Sequence, residues 1–373
     1  MLRRGLRLAA HAFGAAAGVG SVALTLHGES EPQGCARTIP DTLARTAYWQ
    51  LKRSTPLGRD VIPYKAEHIN VEFMTKVMRH ASPRDLAACC TGPTRDLVWQ
   101  QVPVVTKVET RPMGAGAGFA STMCRAEVTV EGCTTPIRLV VKMGPADFES
   151  SLLFRLIRSG ETEAEFYRSN VTEQANLNTP GHIYVDHDRI NDQFVLVQRD
   201  MSPQTTASQA DGATVDQAKA VLTELAKLNS SFWNNTDGLK WLAKPKNGAF
   251  DFAGPGWQDH KHVLHPFMKT RGYAVPAAAH SAVDTVFGEN FENILHWLKQ
   301  PRVTREEGGR MNVVLAHVDA RLENMFMAEN ACMLIDFQGM QARQPCTDVA
   351  YFLGQSMTTD MRRAHEVELL KFW

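Results

Sequence analysis

The chain lacks an excess of charge of either sign. It contains 40 Lys and Arg residues against 40 Asp and Glu residues, so its formal net charge at pH 7 is zero. Proteins that bind nucleic acid mainly through phosphate contacts need a surplus of positive charge. The charge balance therefore argues against a nucleic-acid-binding protein of this class.

Paired cysteine motifs are also missing. The seven cysteines are an odd number, and none of them belongs to a C-x-x-C pair or lies near suitably spaced histidines. Zinc sites and disulfide frameworks usually show such spacings, so we expect neither here. A reducing compartment suits this cysteine usage best.

Acidic residues are absent from the N-terminus as far as Glu29. Arg3, Arg7 and His11 recur there at helical spacing, with apolar residues on the opposite face. A basic amphipathic start of this kind is typical of a mitochondrial transit peptide; without one, we expect a cytoplasmic protein. Two alternatives stay open: residues 8–26 are nearly long enough for a membrane anchor, or the segment is a disordered tail. Membrane contact is expected only if the segment is an anchor.

The length of 373 residues allows two lobes with ample cores. We expect a leader and linker at residues 1–40, an N-terminal lobe at residues 41–200 and a C-terminal lobe at residues 201–373. The sequence stops inside an apolar helical pattern, which we interpret as a fragment or a shortened chain.

The strongest functional pattern lies at residues 313–350, where an apolar run is followed by polar residues in the order H-x-D-x-R-x-x-N. These polar residues are His317, Asp319, Arg321 and Asn324. A second apolar run, residues 333–335, ends on Asp336. We expect a strand–loop–strand hairpin, with Asp319 and Asn324 at the two ends of the loop and Asp336 facing them.

These residue types match the parts that kinases use for phosphoryl transfer. A carboxylate such as Asp319 can accept or orient the proton of a hydroxyl group. The amide oxygen of Asn324 and the carboxylate of Asp336 are hard ligands of the kind that Mg²⁺ binds, usually together with substrate phosphates. The competing interpretation is a hairpin with solvated acids, which the position of Asp336 at the end of an apolar strand disfavours.

The N-terminal half supplies a second group of candidates. Residues 114–121, GAGAGFAS, lie between two predicted strands. Backbone amides at Gly114, Gly116 and Gly118 can approach phosphate oxygens closely, although such a turn taken alone is more often simply flexible. A following predicted strand ends on Lys142, and a lysine that closes a buried strand needs a partner or an anionic ligand.

Alternation and helical spacing predict the other elements of the chain. Strands are expected at residues 104–110, 124–131, 137–142, 182–186 and 193–198, and helices at residues 68–80, 161–168 and 216–233, with two more after residue 350 that are separated by a turn at residues 357–360.

The segment from His317 to Asn324 and the residues Ile335-Asp336-Phe337-Gln338 resemble the catalytic segment of the aminoglycoside phosphotransferase and choline kinase group. The resemblance is closest to its ecdysteroid-kinase-like small-molecule kinases and runs from about residue 104 to the C-terminus. Val318 replaces the glycine of the family's H-G-D motif, a departure that we treat as minor. The resemblance implies an α+β, bilobal protein-kinase-like fold, with an antiparallel sheet and a helix in the N-terminal lobe and a mostly helical C-terminal lobe.

The resemblance also assigns the nucleotide site. It selects Glu163 as the acid that orients Lys142, and it leaves Glu161 and Glu165 on a solvated face. It places the adenine-binding hinge at the end of the last strand of the N-terminal lobe, where Arg199 stands in place of the family's usual Glu. The nucleotide-binding residues that it implies are Lys142, Glu163, Gly114, Gly116, Gly118, Ser121, Arg199, Asp200 and Met201.

The activity implied by the resemblance is an ATP- and Mg²⁺-dependent transfer of phosphate to a hydroxyl group of a small molecule. Asp319 would act on the acceptor hydroxyl, and Arg321 would lie near the γ-phosphate or at the surface. Asn324 and Asp336 would hold Mg²⁺. The sequence leaves the identity of the acceptor open.

Two residues of the segment are expected to support it rather than react. His317 would pack and hydrogen-bond under the loop, and Asp348 would anchor the loop backbone. The alternative function is a catalytically inactive, nucleotide-binding pseudokinase. A protein kinase is disfavoured, because no A-P-E segment fits between Asp336 and Asp348.

Overall fold

The computed structural model describes residues 43, 45–49, 62–113, 121–156, 158–188, 193–242, 312–328 and 331–373. Two predictions fall outside this part of the chain. They concern the N-terminal leader and the glycines at Gly114, Gly116 and Gly118.

An antiparallel sheet of five strands forms the N-terminal half of the described chain, in the order β1-β2-β3-β5-β4. Its strands are β1 (Val105–Pro112), β2 (Thr122–Val130), β3 (Ile137–Met143), β4 (His182–Asp188) and β5 (Gln193–Arg199). All five lie where alternation placed them, within a few residues at either end. The sheet confirms the architecture expected of this half.

Short helices surround the sheet. They are α1 (Val71–His80), α2 (Pro83–Ala88), α3 (Pro93–Gln100), α4 (Phe148–Leu156), α5 (Ser159–Arg168) and α6 (Val171–Gln174), with a 3₁₀ turn at Ala66–His68. Side chains of α1, α2 and α3 share one apolar core with β2 and β3. Alternate residues on β3, including Leu139 and Val141, enter this core. The strand's other alternate positions, among them Lys142, therefore face the opposite side of the sheet.

The described part of the C-terminal half combines helices with short strands. Its helices are α7 (Val215–Ser231), α8 (Cys346–Ser356) and α9 (Thr359–Phe372), and its strands are β6 (Val314–Ala316), β7 (Met325–Ala328), β8 (Ala331–Leu334) and β9 (Gln341–Arg343). Two further 3₁₀ turns lie at Leu322–Asn324 and Phe337–Gly339. A capping box of Thr214 and Gln217 starts α7, satisfying amides that a helix start leaves unpaired.

The pairing of the short strands corrects the expected hairpin. The apolar run before the H-x-D motif forms β6, which pairs with β9. The run that ends on Asp336 forms β8, which pairs with β7. Two small antiparallel ladders thus replace the single hairpin, and the loop that carries Asp319 connects one ladder to the other.

One apolar core joins the C-terminal half to α5. Phe166 of α5 stacks on Phe337 with ring centroids 3.8 Å apart and planes 14° from parallel. His317 contacts the same Phe337 ring. Aromatic packing of this kind adds to the gain from burial alone, and it fixes α5 against the turn that follows Asp336.

Two other observations bear on the sequence-based expectations. The cysteines of the described residues are all free thiols. No helix within the described ranges is both long enough and apolar enough to cross a membrane.

We predict opposite effects on stability for alanine at two helical glycines. A Cβ at Gly160 in α5 would come within 2.6 Å of the Phe154 ring and 2.8 Å of the Phe194 Cβ, so Gly160→Ala should destabilise the fold by roughly 1–3 kcal/mol. Gly354, an exposed position in α8, has no atom within 4 Å of such a Cβ. Gly354→Ala should therefore stabilise the protein by roughly 0.5–1 kcal/mol. Urea unfolding measures both changes, and shifts of the same sign would contradict the described packing.

Candidate active site

A buried lysine lies at the centre of the site. Lys142 is 5% exposed, and its Nζ donates hydrogen bonds of 2.6 Å to Glu163 Oε2 and 2.6 Å to Asp336 Oδ1. Burial acts to lower the pKa of the Lys142 ammonium, but the two carboxylates outweigh burial and raise it above its ordinary value. The lysine therefore stays charged inside the protein.

Glu163 comes from the middle of α5 and is almost fully buried. Burial raises the pKa of its carboxyl, and the neighbouring Lys142 ammonium counteracts that effect. Glu163 thus contacts Lys142, as the resemblance implies, in a position from which it can orient the ammonium. The expectation that Glu161 and Glu165 lie on a solvated face is wrong, because both side chains are partly buried. Glu161 forms an ion pair with Arg158, and Glu165 forms one with Arg168.

The loop after β6 is fastened through its backbone. Asp348, fully buried in the first turn of α8, accepts 2.7 Å hydrogen bonds from the amides of His317 and Val318. Burial raises the pKa of Asp348, while the His317 side chain and the two amides act in the opposite direction. His317 Nε2 lies 3.0 Å from the Ile335 carbonyl oxygen. The supporting roles predicted for His317 and Asp348 are confirmed.

Val318 takes a backbone conformation that rarely suits its side chain. Its φ is +71°, in the left-handed region that glycine enters without cost. A β-branched residue held there stores strain of roughly 1–3 kcal/mol. The replacement of the family's glycine by valine is therefore not minor: the loop keeps a left-handed backbone at Val318 at an energetic cost.

Asp319 follows immediately and is held by neutral donors on both carboxylate oxygens. Asn324 Nδ2 donates to Asp319 Oδ2 at 2.8 Å, and Tyr351 Oη donates to Oδ1 at 3.0 Å. The Nε of Arg321 lies 3.5 Å from the same Oδ1. Arg321 is thus a neighbour of Asp319, and its side chain is 38% exposed.

The backbone at Asn324 runs next to the backbone just before Asp336, because the Ile335 amide donates to the Asn324 carbonyl at 3.1 Å. Both hydrogen bonds of the Asn324 side-chain amide use its nitrogen, so its oxygen remains available as an acceptor. Asp336 also has a left-handed backbone, with φ of +67°. Gln338 Nε2 lies 3.3 Å from Asp336 Oδ2, the carboxylate oxygen opposite the one bound to Lys142.

The donor set around these two residues suits Mg²⁺, which prefers oxygen ligands and keeps positions for water or phosphate. Within the described ranges no cluster of three or more His, Cys, Asp or Glu side chains could hold a metal. A magnesium site here therefore depends on the Asn324 amide oxygen, the Asp336 carboxylate and ligands that the substrate brings.

The hinge predicted after β5 is built around Asp200. Its Oδ1 accepts hydrogen bonds from the Ser202 amide at 3.0 Å and the Ser202 hydroxyl at 2.7 Å. Its Oδ2 lies 3.4 Å from Arg125 Nε. Arg125 pairs with Val140 across β2 and β3, two residues before Lys142. The hinge, Arg125 and Lys142 therefore share one side of the sheet.

The other predicted nucleotide-site residues are only partly described. Arg199 is the exposed last residue of β5, and Met201 lies two residues further on, partly exposed. Ser121 directly precedes β2. The structure brings together Lys142, Glu163 and Asp336. The glycines of the loop lie outside the described residues, and the phosphate-covering loop therefore stays a prediction.

Three features of the site were missed by reasoning from the sequence. They are the hydrogen bond from Tyr351 to Asp319, the contact of Gln338 with Asp336, and the ion pair of Arg125 with Asp200. Tyr351 is three residues after Asp348 in α8, a spacing that puts both on one helix face. That spacing is the signal that could have identified Tyr351.

Comparison with known proteins gives a family match and a set of distant structural neighbours. The neighbours include the GDP complex of aminoglycoside 2'-phosphotransferase-IIIa, at 15% identity over 71% of this chain and 79% of that one, with a TM-score of 0.40. The streptomycin and ATP complex of APH(2'')-IIa has 16% identity over 71% and 78%, with a TM-score of 0.39. Amicoumacin kinase with AMP-PNP and Ca²⁺ has 11% identity over 70% of each chain, with a TM-score of 0.40.

No curated protein matches the sequence. The model of the ecdysteroid kinase-like family matches residues 115–373, which is more than half of the chain. The matched range contains the buried lysine, its two carboxylates and the fastened loop. The chain therefore belongs to the ecdysteroid kinase-like family.

Proposed function

We propose that the protein is an ATP- and Mg²⁺-dependent phosphotransferase that moves the γ-phosphate to a hydroxyl group of a small molecule. The observation that carries the proposal is the bridge of Lys142 between Glu163 and Asp336, with bonds of 2.6 Å on each side. It connects the sheet to the segment that holds Asp319 and Asn324. The elements that kinases use on a nucleotide and on its acceptor thus meet at one place.

Nucleotide binding is assigned to the face of the sheet that carries Lys142. Its ammonium would neutralise the α- and β-phosphates while Glu163 keeps it in place. The backbone of Asp200 and Met201 would bind the adenine edge. The turn before Ser121 would cover the phosphates with its amides.

Metal binding is assigned to Asn324 and Asp336. Bound Mg²⁺ supplies charge that neutralises the β- and γ-phosphates during transfer. The protein's own contribution is to bring the backbone at Asn324 next to that at Asp336, through the hydrogen bond between Ile335 and Asn324.

Acceptor activation is assigned to Asp319. Its carboxylate would orient the acceptor hydroxyl and take its proton as the oxygen attacks the γ-phosphorus. Arg321, close to Asp319 and partly exposed, would add positive charge near the transferring phosphate. Catalysis then depends on positioning and electrostatic stabilisation more than on covalent chemistry.

Removing the negative charge of Asp319 while keeping the shape of its side chain gives a direct test. Asp319→Asn should lower phosphate transfer by roughly 10²- to 10⁴-fold, because the acceptor proton loses its base, and it should leave MgATP binding unchanged. Transfer is measured with γ-labelled ATP over a panel of steroid alcohols, amino alcohols, sugars and aminoglycosides, and binding by thermal shift. Asp211→Asn, at an exposed position, is the matched control.

Equal loss of transfer and binding in Asp319→Asn would contradict this division of roles. A wild-type protein that MgATP stabilises but that labels no hydroxyl compound would instead support the nucleotide-binding pseudokinase.

The buried ion pair predicts a pH-dependent defect. Lys142→Met leaves Glu163 buried without its cation, which should cost roughly 3–5 kcal/mol near neutral pH. The pKa of Glu163 is raised by burial. A carboxyl group whose pKa is higher in the folded than in the unfolded state stabilises the fold while it is protonated. This contribution to stability is lost as the pH rises through the folded-state pKa. The urea concentration at the unfolding midpoint of the variant should therefore decrease as the pH is raised from about 5 to about 8.

Adding Glu163→Gln removes the titrating group, so the double variant should recover much of the stability and lose the steep pH dependence. Lys107→Met, at a largely exposed lysine, should change stability by less than about 0.5 kcal/mol. Urea unfolding at several pH values measures these effects. A flat pH profile for Lys142→Met alone would refute the electrostatic account.

A further inference from the structure

We propose that Tyr351 is a positioning residue that fixes the carboxylate of Asp319 for attack by the acceptor. The inference rests on the proposed function, because it concerns the group that would act on the acceptor hydroxyl. Tyr351 would not touch the reacting atoms. It would act through the hydrogen bond that its phenol donates to Asp319.

The two neutral donors hold the carboxylate of Asp319 from opposite oxygens. Asn324 Nδ2 binds Oδ2 at 2.8 Å, and Tyr351 Oη binds Oδ1 at 3.0 Å. With one bond on each oxygen, rotation of the carboxylate about its Cβ–Cγ bond would break at least one of them. Each oxygen keeps further lone pairs for an acceptor hydroxyl. Removing the phenol oxygen would leave only the Asn324 bond to restrain this rotation.

Tyr351 can stay a donor throughout the neutral range. Burial raises the pKa of its phenol, and the negative charge of Asp319 raises it further. A protonated phenol is the form that donates. The Nε of Arg321 lies 3.5 Å from the same Asp319 Oδ1 and supplies charge, but the Arg321 side chain is 38% exposed. Tyr351 is therefore the shorter and better defined contact.

Helix α8 explains why Tyr351 is well placed. The helix touches the loop at three successive points. Asp348 binds the amides of His317 and Val318, Tyr351 binds the Asp319 carboxylate, and Ser356 Oγ accepts the Leu322 amide at 3.1 Å.

The first and last of these contacts hold backbone. Only the middle one, from Tyr351, reaches a side chain that is assigned to the chemistry. One helix thus positions both the backbone of the loop and the carboxylate of Asp319. Sites that need precise geometry are best built on such rigid elements.

Tyr351→Phe tests the role by removing one oxygen atom. We expect kcat for transfer from γ-labelled MgATP to fall roughly 10- to 100-fold, with KM for ATP and the thermal unfolding midpoint unchanged. Tyr184→Phe is the matched control, because Tyr184 Oη donates an equivalent 2.9 Å bond to Asp186 on β4. That variant should keep the wild-type kcat. Transfer in Tyr351→Phe equal to wild type would overturn the proposal.

The double variant Asp319→Asn with Tyr351→Phe shows whether the tyrosine acts through the aspartate. Measured by single-turnover transfer, it should be no slower than Asp319→Asn alone, because residues that act as a unit are not additive. A further tenfold loss would overturn the proposal and assign Tyr351 an independent contact. A wild-type protein that neither binds MgATP nor transfers phosphate would instead refute the proposed function.

Discussion

The constraint on which the site depends is the charge of Lys142. An ammonium that is 5% exposed is costly to bury unless carboxylates surround it. Its two partners are 21 and 194 residues away along the chain, so no local structure could provide them. The fold must bring α5 and the turn after β8 to the same point of β3, and the stacked Phe166 and Phe337 rings fix that approach.

The two carboxylates are not equivalent, and the difference suits a site that exchanges ligands. Glu163 is 1% exposed, whereas the Asp336 side chain is 22% exposed. Only Asp336 can therefore be shared with a ligand that enters from solvent. If Asp336 binds such a ligand instead of Lys142, Glu163 still neutralises the lysine. A lysine with one permanent and one exchangeable counter-ion can accept a phosphate without being left unpaired in the interior.

Much of this arrangement is readable from the sequence, and the parts that are not have a physical reason. The five strands of the large sheet and helix α7 show clear periodicity, because each buries one face along several residues. Strands β6 and β9 are three residues long, too short to carry a period, so the predicted hairpin was wrong in its pairing. Lys142 and Asp336 are recognisable as candidates because each charge ends an apolar run, and Asp319 is recognisable from the H-x-D-x-R-x-x-N order.

Two of the contacts that escaped prediction, those of Tyr351 with Asp319 and of Gln338 with Asp336, are made by neutral donors. A tyrosine, a glutamine or an asparagine within an amphipathic helix or turn is common, and its partner is set only by tertiary packing. Tyr351 would look like an ordinary helix residue without the position of Asp319. The conformation of Val318 likewise depends on tertiary contacts. Its left-handed backbone occurs where the amides of His317 and Val318 donate hydrogen bonds to Asp348. In this site the charged residues are recognisable from their own neighbours in sequence, whereas the orientation of Asp319 is set by contacts from a helix that follows it, and α8 is therefore as much a part of the site as the loop.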